Sequence, residues 1–156
     1  MSEQSIMSTK ASEKLSLQIT RLIDAPRDRV YAAWTNPAQL RQWFGPETTE
    51  TRGLVADVRP GGEFRWDVLN NDGEEITARG EYREVEPGRK IVFTWQWDDD
   101  ENWANNISVV TIELSDAVGG AKVTLTHEKL PNEESRDNHE QGWNSLLNKL
   151  ENFFKK

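Results

Sequence analysis

The sequence contains no cysteine and only two histidines among its 156 residues. Without cysteine, the chain can form no disulfide, offers no thiolate nucleophile and cannot build an iron-sulfur or cysteine-type zinc site. Two histidines are too few for a histidine-based metal site without several carboxylates in support. We therefore expect chemistry limited to oxygen and nitrogen groups, with no metal and no other cofactor.

Basic residues are in the minority, with 19 Lys and Arg against 27 Asp and Glu and a formal net charge of -8. This charge opposes non-specific attraction to nucleic-acid phosphates and to anionic lipid headgroups. Long hydrophobic runs are also missing, since no stretch approaches membrane-spanning length and the N-terminus has no signal-peptide core. We expect a cytoplasmic protein that has neither a nucleic-acid nor a membrane partner.

Hydrophobic residues make up 35% of the chain, which is enough for one core. The length also fits one domain, because domains most often have about 100 to 150 residues. Residues 1–14 are polar and lack periodicity, which is typical of a disordered tail. We predict this tail, followed by a single domain over residues 15–156.

Alternating apolar and polar residues predict seven strands. The first spans about residues 15–24, and the others lie near residues 54–58, 64–68, 76–82, 91–97, 110–114 and 123–127. Glycine- and proline-containing turns such as Pro60-Gly61-Gly62 join most of them at hairpin length. The pattern predicts an antiparallel meander.

Helical periodicity predicts three helices. A short helix is expected from Pro26 to Thr35, and a second one ends at Gly45-Pro46. The strongest signal starts near Glu133 or Ser135 and places apolar residues at i, i+3, i+4, i+7, i+10 and i+11 from Trp143. The predicted fold class is α+β, a helix-grip layout in which a curved antiparallel sheet of six or seven strands surrounds the long C-terminal helix.

Four segments carry a resemblance to a known family: IDAPRDRVYAAWTNPAQLRQWFGP, DVRPGGEFRW, GEYREVEPGRKIVFTW and EQGWNSLLNKLENFF. Together they resemble the START-like (SRPBCC) superfamily and, within it, the family named after the activator of the heat-shock-protein-90 ATPase. The resemblance covers roughly residues 15–154 and implies a cavity between sheet and long helix. Superfamily relatives such as plant hormone receptors, lipid-transfer domains and aromatase/cyclases hold apolar molecules there.

The same resemblance leaves a chaperone partner as an alternative. The eukaryotic activators engage the chaperone through an additional N-terminal domain, and we expect no such domain before Leu15. Stimulation of the chaperone ATPase by this chain is therefore not expected to be strong.

Candidate ligand-binding residues are those expected to face the cavity: Trp43, Trp66, Tyr82, Phe93, Trp95, His127, His139, Gly142, Trp143 and Leu147. Trp97 shares a strand face with Trp95 and belongs with them. The aromatic side chains either line a cavity or form ordinary core.

Three of these candidates can each be interpreted in two ways. His127 is either a core histidine that forms a hydrogen bond to one backbone carbonyl, or a group that forms a hydrogen bond to a ligand or acts as an acid or base. His139 lies one turn from Trp143, either exposed at the surface or near the cavity mouth. Gly142 either leaves room for a ligand or permits close packing, for example against Trp66.

Nucleophile motifs are missing, because Ser108, Ser115 and Ser145 have no glycine-elbow context. The acidic run from Asp98 to Glu101 lacks the ligand spacing of a calcium loop and is expected to be solvated.

Three functions follow from these observations. The first is non-catalytic binding of a small hydrophobic or amphipathic molecule, either lipid-like or aromatic and polyketide-like. The second is a cyclase- or hydrolase-type enzyme that uses His127, Tyr82 or an inward carboxylate such as Asp67. The third is a co-chaperone or stress-response module. We favour the first and do not expect an enzyme.

Overall fold

The computed structural model describes residues 15–155, so the predicted tail, residues 1–14, lies outside the described residues. The elements follow in the order β1 (Leu17–Ile23), α1 (Arg27–Thr35), α2 (Pro37–Trp43), β2 (Glu50–Ala56), β3 (Glu63–Leu69), β4 (Glu75–Glu86), β5 (Lys90–Trp97), a 3-10 turn (Glu101–Trp103), β6 (Ser108–Ala117), β7 (Gly120–Glu128) and α3 (Glu133–Phe153). The predicted α+β fold, with two short helices after the first strand and one long C-terminal helix, is confirmed.

All seven strands belong to one antiparallel sheet in the order β1-β7-β6-β5-β4-β3-β2. Strands β2 to β7 form the predicted meander. Strand β1 pairs with β7, and the register sets Leu17 opposite His127 and Ile23 opposite Ala121. The two strands that flank the short helices in sequence, β1 and β2, are therefore at opposite edges of the sheet.

Side-chain caps mark where α2 and α3 begin. The Asn36 side chain accepts the backbone N–H of Ala38 at 2.9 Å, and Pro37 occupies the first position of α2, where the missing N–H is not needed. Asn132 caps α3 by accepting the N–H of Ser135 at 2.8 Å. Helix α3 thus begins at Glu133, as predicted, whereas α1 begins one residue after the predicted Pro26.

Helix α3 buries one side against the sheet. Its buried side chains are Trp143, Leu146, Leu147 and Leu150. Burying each such leucine contributes about 1.5 to 3 kcal/mol, so this contact is a main source of stability. Of the helices described in residues 15–155, none is both long enough and apolar enough to span a membrane.

Arg21 on β1 fixes the C-terminal half of α3 to the edge of the sheet. Its Nη2 donates to the carbonyl and the side-chain oxygen of Asn144 at 3.2 and 3.0 Å. Its Nη1 donates to Asn148 at 2.9 Å and forms an ion pair with Glu151 at 3.2 Å. These contacts hold the C-terminal half of α3 against strand β1.

Candidate functional site

A cavity of about 650 Å³ lies between the N-terminal half of α3 and strands β3 to β5. Its aromatic wall consists of Phe44, Trp66, Trp95, Trp97 and Trp143, and its polar rim of Thr48, Asn71, Asp72, Asn138 and Gln141. Every exposed lining residue is polar and every fully buried one is apolar. The volume is within the range of about 300 to 1,000 Å³ that small-molecule sites occupy.

The ten candidate ligand-binding residues divide evenly between this cavity and the core. Those that line the cavity are Trp66, Trp95, His139, Gly142 and Trp143. Those packed in the core, outside the lining, are Trp43, Tyr82, Phe93, His127 and Leu147. Contact between any of them and a ligand stays a prediction.

Strand alternation builds the aromatic wall around Trp95. Trp95 and Trp97 are two residues apart on β5 and therefore point to the same face of the sheet. The ring centroid of Trp95 lies 6.0 Å from Trp66, 5.5 Å from Trp97 and 5.2 Å from Trp143. These separations are those at which aromatic rings attract each other, so the wall is a packed cluster with defined ring positions.

Gly45 allows the segment after α2 to pass directly over Trp66. Its φ of +100° is a conformation that glycine adopts without steric penalty. A Cβ atom at this position would lie only 2.8 Å from Cζ2 of Trp66. The indole of Trp66 is also held by a hydrogen bond, because its N–H donates to Oγ1 of Thr51 at 3.0 Å.

Behind the aromatic wall, His127 is held by two hydrogen bonds that define its tautomer. The Trp143 Nε1–H donates to Nδ1 of His127 at 3.0 Å, and an indole nitrogen is only a donor. Nδ1 therefore carries the lone pair and Nε2 carries the hydrogen, which is directed to Oγ of Ser108 at 2.8 Å. Ser108 in turn donates to the carbonyl of Trp95 at 2.6 Å.

This chain of bonds has the wrong polarity for a serine nucleophile. A catalytic histidine would accept the serine proton, whereas here the imidazole donates to the hydroxyl. Ser108 and His127 are also fully buried and absent from the cavity lining. Burial, followed by the proximity of His139, holds the pKa of His127 well below its ordinary value, so the ring is neutral.

His139 lies in the cavity wall and is likewise neutral. Its Nε2 accepts the N–H of Trp97 at 2.9 Å, so Nδ1 carries the hydrogen and donates to the carbonyl of Ser135 at 2.7 Å. Burial lowers the pKa of His139, and the bond to Ser135 only partly opposes this. The ring centroids of His139 and His127 are 5.2 Å apart. His139 is therefore half-buried near the cavity mouth, and the exposed alternative does not hold.

Trp103 is a member of this aromatic cluster that the sequence analysis missed. In the predicted acidic loop residues 99–101 are exposed, whereas Asp98 is half-buried and forms an ion pair with Arg79 at 2.6 Å. Trp103, which follows the loop, is buried, and its ring centroid lies 5.3 Å from His139. A single tryptophan among polar residues has no periodicity to indicate its direction. Its hydrophobicity was the only signal. Within residues 15–155, no three histidine or acidic side chains gather as metal ligands.

The other two acid/base candidates are not in the cavity. Asp67 lies on the opposite face of β3 from Trp66, so the expectation of an inward carboxylate was wrong. A bond from the Thr77 hydroxyl, with Arg65 as a further partner, lowers the pKa of Asp67. Tyr82 is fully buried, and burial together with the nearby Asp57 charge raises its pKa. Asp67 is therefore engaged by Thr77 and Arg65, and Tyr82 is packed in the core.

Gly142 faces open space in the cavity rather than a close neighbour. A Cβ atom built at this position would have one neighbour within 4 Å, Cγ of Pro46 at 3.6 Å, which is an ordinary contact. Close packing against Trp66 is therefore not the reason for a glycine here. His139 and Ser145, one turn away on either side, also line the cavity.

Comparison with known proteins identifies the family of this chain. The family model described as "Activator of Hsp90 ATPase homolog 1-like protein" matches residues 24–155. The chain belongs to this family. The resemblance seen in the sequence is thereby confirmed.

Solved structures from three bacteria are similar to the chain. A protein from Chromobacterium violaceum is 29% identical with a TM-score of 0.80, and the match covers 88% of this chain and 94% of that one. A family member from Silicibacter pomeroyi is 27% identical with a TM-score of 0.81, covering 90% and 97%. A protein from Nitrosomonas europaea is 26% identical with a TM-score of 0.76, covering 91% and 95%. No curated protein matches the sequence.

Proposed function

We propose that the protein binds a small hydrophobic or amphipathic molecule in the cavity between α3 and the sheet and does not transform it. The observation that carries this proposal is the composition of the cavity, which combines a buried aromatic wall with an exposed polar rim. A ligand with an apolar body and one polar end suits this division, because its body is desolvated while its polar end stays at the rim.

The hydrogen bonds of the two histidines support a non-catalytic role. General acid/base catalysis needs a side chain within hydrogen-bond reach of the reacting atom and with a pKa near the working pH. Both ring nitrogens of His127 and both of His139 are engaged within the protein. A catalytic use of either ring requires breaking one of these buried bonds first.

Tryptophan fluorescence tests the proposal, because four tryptophans line the cavity. A panel of fatty acids, flavonoids and aromatic polyketides is titrated into the protein, and at least one member is expected to change the emission saturably. The Gly142→Leu variant, which places a side chain in the cavity, is expected to lose this response. A protein that binds no member of the panel, or a variant that binds equally well, contradicts the proposal.

The family description motivates a second candidate, contact with the Hsp90 chaperone. We expect no strong stimulation of the chaperone ATPase by this chain at stoichiometric concentration in a steady-state assay. Clear stimulation of the ATPase would favour the co-chaperone function over ligand binding. The cytoplasmic location, which either function would suit, stays a prediction from the sequence.

A further inference from the structure

We propose that the cavity selects uncharged aromatic ligands and excludes carboxylates and other organic anions. This inference rests on the proposed function and specifies its ligand class.

The charges around the cavity support this selectivity. Among the described residues, no lysine or arginine lines the cavity, and its ionisable lining groups are Asp72 and His139. The two basic residues of α3, Arg136 and Lys149, do not line the cavity. A negative charge carried past the exposed rim into the aromatic part of the cavity loses hydration without gaining a counter-charge, which is strongly unfavourable.

Hydrogen-bond donors in the aromatic wall do not compensate for the lack of a basic side chain in the lining. Trp66 donates to Thr51, Trp97 to His139 and Trp143 to His127, at 3.0, 2.9 and 3.0 Å. Trp95 has a buried N–H without a protein partner in the described part of the chain. A single neutral donor of this kind does not offset the desolvation of a full negative charge.

His139 is the lining group that could become a cation, and its bonds oppose this. Protonation would add a hydrogen to Nε2, which already accepts the N–H of Trp97. The two N–H groups would then point at each other, while Nδ1 stays bonded to the carbonyl of Ser135. The wall therefore presents a neutral imidazole to a ligand.

Uncharged aromatic molecules meet none of these penalties. Their rings can pack against the five aromatic side chains of the wall in edge-to-face or offset geometry. The rim amides of Asn71, Asn138 and Gln141 offer neutral donors and acceptors for hydroxyl, carbonyl or amine groups. The lining is therefore complementary to a neutral aromatic molecule with polar substituents.

A matched pair of fluorescent probes tests charge selectivity directly. N-phenyl-1-naphthylamine and 1-anilinonaphthalene-8-sulfonate share the same aromatic skeleton, and only the second carries a sulfonate. Each is titrated into the protein, and energy transfer from tryptophan to the probe reports binding near the wall. We expect the uncharged probe to bind saturably and the sulfonate to bind on the order of tenfold more weakly or worse.

Two lysine substitutions on the same helix separate local charge from net charge. Gln141 is an exposed lining residue, and Gln141→Lys adds a cation at the rim with almost no change in helix propensity. Asn152→Lys adds the same charge outside the lining, about 16 Å along the helix. Gln141→Lys is expected to reduce the ratio of the two probes' dissociation constants several-fold, and Asn152→Lys is expected to leave this ratio unchanged.

The outcomes distinguish this inference from the proposed function. Tight binding of the neutral probe, lost in Gly142→Leu, with weak binding of the sulfonate supports both. Equal or tighter binding of the sulfonate, also lost in Gly142→Leu, overturns the charge selectivity and leaves the binding function standing. Equal narrowing by both lysine variants also overturns it, because the effect is then one of net charge. Absence of binding by both probes overturns the inference, while the panel of fatty acids, flavonoids and aromatic polyketides decides the proposed function.

Discussion

The indole N–H of Trp143 donates to Nδ1 of His127, so a residue of the cavity wall fixes the tautomer of a fully buried histidine. Trp97 stands in the same relation to His139. Two tryptophan–histidine pairs thus connect the aromatic wall to the structure behind it, and both contain a neutral ring with a lowered pKa.

These two pairs predict that the protein loses stability in mild acid. The unfolded chain binds protons at histidine below about pH 6.5, whereas the folded chain, with its lowered histidine pKa values, does so only at lower pH. Stability is therefore fully present above about pH 6.5 and falls as the pH drops toward the folded pKa values. Each histidine contributes at most about 1.4 kcal/mol per pH unit in this window. Urea unfolding between about pH 7.5 and about pH 5.5 measures the slope.

The His139→Gln variant is the control for this slope. A glutamine oxygen can still accept the N–H of Trp97, but the side chain does not titrate. We expect the variant to keep the contribution of His127 alone and to show a shallower slope. A slope equal to that of the wild type would mean that His139 is not one of the groups responsible.

Replacing Ser108 tests whether its bond to His127 is structural. Ser108→Ala leaves the Nε2–H of His127 and the carbonyl of Trp95 without their partner in the core, which is expected to cost about 1 to 3 kcal/mol. Ser115→Ala, an exposed position on the same strand, is expected to change stability by less than about 0.5 kcal/mol. Urea midpoints of the two variants give the comparison. Loss of a hydrolytic activity in Ser108→Ala, without loss of stability, would instead favour an enzyme.

Gly142 is expected to tolerate larger side chains while ligand binding does not. Gly142→Ala places a methyl group 3.6 Å from Pro46 and is expected to stabilise α3 by about 0.5 to 1 kcal/mol. Gly142→Leu extends further into the cavity and is expected to retain stability but abolish binding. Thermal unfolding combined with fluorescence titration measures both effects. Strong destabilisation of Gly142→Leu, by about 1 to 3 kcal/mol, would indicate over-packing and a filled space.

Gly45 is expected to be much less tolerant, because Trp66 lies against it. Gly45→Ala combines an unfavourable positive φ with a Cβ atom 2.8 Å from the Trp66 ring. Gly119→Ala is the matched control, since its φ of +88° is similar but no atom lies within 4 Å of the new methyl group. We expect Gly119→Ala to lower the free energy of unfolding by about 1 kcal/mol and Gly45→Ala to lower it clearly more. Equal losses in both unfolding midpoints would show that the Trp66 contact has no energetic effect.

Sequence patterns predicted the elements of this fold well because each pattern depends on local geometry. Alternation at Phe64, Trp66 and Val68 specifies a strand and its inner face wherever that strand lies. The pairing of β1 with β7 was not predictable in this way, since partners such as Gln18 and Thr126 are 108 residues apart. Strand pairing over that distance leaves no periodic trace in the sequence.

The division of the inner face into cavity and core depends on register. Ala78 lies opposite both Trp66 and Trp97 on the neighbouring strands, so two tryptophans meet across a small side chain. Further along β4, Tyr82 lies opposite Phe93, and large rings fill the space on both strands. Alternation predicts that all of these residues face inward, but only the register shows which of them leave room.

The position of β1 beside β7 has a consequence for folding during synthesis. Strand β1 (Leu17–Ile23) leaves the ribosome about 100 residues before its partner β7 (Gly120–Glu128). At about 5 to 20 residues per second, β1 waits on the order of 5 to 20 s before its partner strand exists. Closing a loop of this length carries a large entropic penalty, and distant pairings of this kind slow folding. Until then β1 lacks its partner strand, so this is the interval in which we expect chaperone capture or mispairing of its apolar side chains.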